Sequence, residues 1–197
     1  MATELDVLRI VSERLSAQGL DYMLTGSFAM AWYVTPRMTR DLDIVVALKE
    51  TDVDALVDAL LPDFYVDRDA ASLAVRTERL FNLMHLASGI KVDLIIRKAS
   101  EYRQVEFARR VLVRSGDLQS WVVTREDLIL SKLGWARETG SELQKRDVLA
   151  LLAGSVDMPY LGYWAERIGV AGELEETLRC MTPPPTSPNS SGSFTPG

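Results

Sequence analysis

Two short apolar runs, "DLDIVVAL" at 41–48 and "KVDLIIR" at 91–97, constrain this chain more than any other feature, because each sets acidic residues inside a core strand. Side chains of a strand alternate between faces, so Asp41, Asp43 and Val45 share one face while Leu42, Ile44 and Val46 take the other. The second run repeats the device, with Lys91, Asp93 and Ile95 on one face and Val92, Leu94 and Ile96 on the other. Two carboxylates about 7 Å apart along one backbone repel unless cations sit between them. A pair of Mg²⁺ ions, about 3.5–4 Å apart, would satisfy both. If the two strands are neighbours in one sheet, Asp93 becomes the third carboxylate of the same site. Taken singly, each acid reads as part of a solvated sheet face; the trio inside apolar strands reads as a site.

The rest of the chain supplies a frame for that pair of strands. "TELDVLRIVSERLSAQG" places Leu5, Leu8, Val11 and Leu15 at helical spacing, with Thr3 as cap and Gly19 as stop. "DYMLTG" reads as a short central strand, and "SFAMAWYV", apolar on every side, as a buried helix opened by Ser27. "TDVDALVDALL" is a capped amphipathic helix, and a further helix falls near "DAASLAVRTE". "LFNLMHLA" and "KVDLIIR" flank Ser88-Gly89 as a β-hairpin. "SEYRQVEFARR" is a helix, and "VLVRSG" and "SWVV" are shorter strands. From Thr124 onward only helical patterns follow, until a Pro-, Ser- and Gly-rich tail expected to be disordered. The division is an α+β domain over 1–123, its mixed sheet flanked by helices, a C-terminal helical annex over 124–181 and a tail over 182–197.

Gly26-Ser27 offers the other half of a site. A strand ending at Thr25, a glycine that permits a tight turn and a serine opening a helix present backbone N–H groups at a helix N-terminus, where a phosphate binds well. Simple capping would use the same residues. Set beside Asp41 and Asp43, however, a phosphate end and a metal end face one another, which is the outline of a metal-bound nucleoside triphosphate.

Gly26-Ser27, thirteen intervening residues and then Asp41-Leu42-Asp43 resembles the nucleotidyltransferase superfamily motif shared with DNA polymerase β, in its minimal bacterial form. "PRMTRDLD" is similar to the AbiEii-type abortive-infection toxins and their relatives, "SGIKVDLI" to the third-carboxylate strand, and "EDLILSKLGWARETGSELQKRDVLALL" to the helical region. The likeness spans roughly residues 20 to 153. It implies an enzyme in which Asp41, Asp43 and Asp93 hold two Mg²⁺ ions and Asp93 also orients or deprotonates the acceptor hydroxyl. Gly26 and Ser27 would cradle the β and γ phosphates. Lys132 would reach the triphosphate from the annex, and Arg37 and Arg40 would line the cleft or steer the nucleotide, with Arg40 among the nucleotide-binding residues. The reaction implied is transfer of a nucleoside monophosphate from a nucleoside triphosphate such as ATP to a hydroxyl, with release of pyrophosphate. The region before the third acid carries Arg76 and Arg79 where those toxins usually carry a lysine.

Composition bounds the partners. A net charge of −6 argues against a general polyanion binder, so a small-molecule or protein acceptor is expected ahead of a large RNA. One cysteine, Cys180, and no basic-then-apolar leader point to a cytoplasmic protein, and the longest apolar run, Phe28 to Val34, is too short to span a membrane. His85, the single histidine, is expected to be structural, and Trp32, Tyr33, Trp135 and Trp164 to pack core and annex. Arg146-Asp147 reads as a surface pair or as the family's helix pair. Two further roles stay open: the toxin of a toxin–antitoxin pair, with an antitoxin as partner, and a non-catalytic nucleotide- or partner-binding module built on the same fold.

Overall fold

The computed structural model describes residues 2–35 and 39–181. The Pro-, Ser- and Gly-rich stretch 182–197 and Arg37 lie outside the described residues.

Seven described strands form one mixed sheet. They are β1 (Tyr22–Thr25), β2 (Leu42–Val46), β3 (Phe64–Val66), β4 (Leu80–His85), β5 (Lys91–Ile96), β6 (Val111–Ser115) and β7 (Leu118–Val122), in the order β3-β4-β5-β2-β1-β7-β6. β2 pairs parallel with β5 and antiparallel with β1, and β5 pairs antiparallel with β4. The alternation read from the sequence decides which face is buried: Leu42, Ile44 and Val46 of β2, Val92, Leu94 and Ile96 of β5, and Phe81 and Leu83 of β4 all join the core. β3, only three residues long, is too short to show a period and was not expected.

Helices α1 (Glu4–Ala17), α3 (Val53–Leu60) and α4 (Arg68–Thr77) pack on one another and on the strands. Thr3 and Asp6 close α1 with a reciprocal cap, each side chain accepting from the other's backbone N–H. The buried stripe of α1 runs through Val7, Leu8, Val11 and Leu15; Leu5, expected in it, is exposed because the stripe passes through Val7 in the first turn. The apolar segment after β1 is also shorter than expected. It forms α2 (Gly26–Ala29) and a single 3₁₀ turn (Met30–Trp32), in which Ala29 and Met30 are buried and Ala31 is exposed. A run that is apolar on all sides thus makes a compact corner here rather than a long buried helix.

The annex consists of α6 (Arg125–Thr139), α7 (Glu142–Leu152), α8 (Met158–Arg167) and α9 (Ala171–Met181), which pack on one another. Its core is continuous with that of the sheet. The anchor is a polar network around Asp127, which is fully buried. Its carboxylate accepts from Thr124 Oγ1 (2.6 Å), Tyr160 Oη (2.6 Å), Tyr102 Oη (3.4 Å) and Arg109 Nε (3.1 Å), joining α5 (Glu101–Ala108) to α6 and α8. Trp164 is buried as expected, but Trp135 is 61% exposed, so that tryptophan packs neither core nor annex. No helix among the described residues is long and apolar enough to cross a membrane.

Candidate active site

The register of four neighbouring strands assembles the site. Thr25 lies opposite Asp43, Asp43 opposite Asp93, and Asp93 opposite Asn82, so one row of polar side chains crosses β1, β2, β5 and β4 on the face away from Leu42 and Leu94. The parallel pairing of β2 with β5 brings the third carboxylate beside the first pair. Asp41 stands just before β2 and is exposed.

Gly26 fixes how closely the first turn of α2 approaches Asp43. Its φ is +67°, in the left-handed region where glycine is at ease. A Cβ at this position would lie 2.0 Å from Asp43 Oδ2 and 2.9 Å from Asp43 Cβ, so no rotation of the aspartate makes room for a side chain. Ser27 follows in the same turn, half-buried. The sequence placed the helix start at Ser27; Thr25 is instead the residue before the helix, and the glycine is its first member.

The electrostatics of Asp43 set the chemistry. Its carboxyl is pushed up to about 6, first by burial, then by the negative charges of Asp93 and Asp41, while Lys132 and Lys91 pull it partly back. It makes no hydrogen bond or ion pair with another described residue. A half-buried, unpartnered carboxylate facing two more is a hard oxygen site that fits a divalent cation of the magnesium type. Asp93, in contrast, is already engaged: Asn82 Nδ2 donates to its Oδ1 and the Lys91 ammonium lies 3.0 Å from Oδ2. Among the described residues no group of three His, Cys, Asp or Glu side chains stands around one ion position.

The other residues expected at the site divide. Lys132 on α6 is almost fully buried. Its ammonium lies 2.7 Å from Asp147 Oδ2 and 3.0 Å from Gln144 Oε1, and its charge reaches Asp43. Asp147, for which the sequence leaves both a surface pair with Arg146 and the family's helix pair open, is a buried partner tying α7 to α6. Arg40 is exposed and pairs with no other described residue. Arg76 pairs with Glu50 at the surface (3.0 Å). His85 is buried, its Nδ1 2.8 Å from Ser88 Oγ and its ring edge-on to Phe64, a structural histidine. Asn82 was missed by sequence reasoning. Its signal was faint: a polar residue out of phase with Phe81 and Leu83 in a strand hairpinned to β5. A groove of about 650 Å³ lies elsewhere, lined by Tyr102, Leu130, Gly134 and Trp164 among others, and none of the carboxylates borders it.

No family model matches the chain, and no curated protein matches it in sequence. Solved structures do match its fold. An antigenic nucleotidyltransferase-like protein from Paracoccidioides brasiliensis superposes with a TM-score of 0.56 at 15% identity, covering 89% of this chain and 92% of that one. The antibiotic-resistance factor ANT(2'')-Ia, in complex with adenylyl-2''-tobramycin, gives a TM-score of 0.55 at 13% identity, covering 89% of this chain and 99% of its own. Its solution structure gives 0.54 at 12% identity, with 90% and 94% covered. At such identities the likeness is one of architecture, and the architecture of this chain is the nucleotidyltransferase fold.

Proposed function

We propose that the chain transfers a nucleoside monophosphate from a nucleoside triphosphate to a hydroxyl acceptor, in a reaction that needs Mg²⁺. The observation that carries this reading is the row Thr25–Asp43–Asp93–Asn82, with the Gly26 turn packed directly over Asp43. Asp41 and Asp43 would hold the metal. A divalent ion bound there would neutralise triphosphate charge and acidify the attacking hydroxyl. The first-turn amides at Gly26 and Ser27 would receive the β and γ phosphates, since a helix start favours anions. Lys132 adds positive charge on the annex side of the cleft. Asp93, oriented by Asn82, accepts the proton of the acceptor hydroxyl. The acceptor oxygen then forms a bond to the α phosphorus as the bridging bond to the β phosphate breaks, and pyrophosphate leaves in line.

The open sheet face beside Asp93 and the acidic balance of the chain favour a small-molecule or protein acceptor over a large RNA. ANT(2'')-Ia, a fold neighbour, was solved with adenylyl-2''-tobramycin, which supports a small-molecule hydroxyl as the first class to try. The same chemistry would serve the toxin of a toxin–antitoxin pair, and the labelled product tells the two roles apart. Incubation with α-labelled nucleoside triphosphates, Mg²⁺ and total cell extract should label one acceptor class, and Asp93→Asn should remove the label. Absence of transfer together with Mg²⁺-independent nucleotide binding would leave a non-catalytic module.

A further inference from the structure

Lys91 sits among the acids where a second cation would be expected. Its ammonium stands 3.0 Å from Oδ2 of Asp93 and 3.0 Å from Oδ1, astride the carboxylate as a metal ion would be. Asn82 donates to the same Oδ1, so Asp93 is held from both sides by N–H donors. Extending the β2–β5 register one step beyond Leu42 opposite Val92 brings Asp41 beside Lys91. On that face the ammonium therefore has Asp93 two residues on, Asp41 across and Asp43 on the diagonal.

We propose that Lys91 is a resident cation that takes the place of one divalent ion, so that the chain binds a single divalent ion, on Asp41 and Asp43, rather than two. The inference rests on the nucleotidyltransferase reading of the same site. A unit positive charge already centred on Asp93 repels a further cation at that carboxylate, and its side chain is tethered where a free ion would have to be captured. Lys91 is thus a positioning residue. It holds Asp93 aimed at the acceptor while leaving Asp43, which makes no ion pair with a cation among the described residues, as the place where an ion is needed.

The full chain titrated with Mn²⁺ alone, with free Mn²⁺ followed by its electron paramagnetic resonance signal, counts the ions. The wild type should bind one, and Lys91→Arg should also bind one. Lys91→Met, nearly isosteric and uncharged, should bind two, the second within about tenfold of the affinity of the first. Lys91 is substantially exposed, so the variants should fold. Two ions in the wild type, or a Lys91→Met protein with unchanged count and affinity, would overturn the proposal. The label-transfer assay run beside it separates the two levels. Transfer with two ions in the wild type removes only the role of Lys91, whereas neither Mn²⁺ binding nor transfer removes the enzyme reading as well.

Discussion

Asp43 is the residue at which stability and the proposed function oppose one another. The folded chain holds its proton more tightly than an unfolded chain would, because burial and two neighbouring acids disfavour the anion. Its contribution therefore has the opposite sign from that of a salt-bridged aspartate: stability is lost as pH rises from 3.8 towards about 6, and the loss then stays constant. Lifting a carboxyl that far costs about 3 kcal/mol at neutral pH. Asp43→Asn, metal-free, should accordingly unfold at higher temperature or urea than the wild type at pH 7.5. The gap should close near pH 4 and shrink on adding Mg²⁺, as thermal melts across pH would show. The acids were legible in the sequence because a period of two assigns each to a face. The environment of Lys132 was not, since its partners Asp147 and Gln144 arrive from the next helix, and helical spacing alone cannot tell a buried lysine from one at the rim.

Among the elements, β2 and β5 matter most, and the sequence showed each of them but not their pairing. Both are apolar runs with an out-of-phase aspartate; only the parallel register, one strand reached by a crossover from the other, sets Asp43 opposite Asp93. The hairpin to β4 was legible from Ser88-Gly89, yet its register, and with it the position of Asn82, depends on a turn geometry that composition does not fix. The buried helix expected after β1 became a four-residue turn of α2, because a run with no polar face carries no period by which its length can be judged. The α6 helix is set by Asp127, which closes the Thr124 cap and collects two tyrosines and an arginine. Removing that carboxylate leaves several buried donors without an acceptor. Asp127→Ala should therefore destabilise the protein by about 3 kcal/mol in urea unfolding, against about 1 kcal/mol for Thr124→Ala, which loses the cap alone.

For the whole molecule, a sheet open on one side and an annex that brings a buried lysine towards it produce a cleft whose charge is uneven. The floor is acidic at Asp41, Asp43 and Asp93, while Lys91 and Lys132 supply positive charge around it. The chain carries a net charge of −6, so on the proposed reading a nucleoside triphosphate would enter only with its own charge neutralised. That makes metal dependence of nucleotide binding the central claim. Isothermal titration of a non-hydrolysable ATP analogue measures it, with and without Mg²⁺, on the wild type and on Gly26→Ala, whose new methyl group would displace Asp43. The account predicts binding only when Mg²⁺ is present and loss of at least about tenfold in affinity in the variant. Equal binding with and without the metal, unchanged by Gly26→Ala, would contradict it.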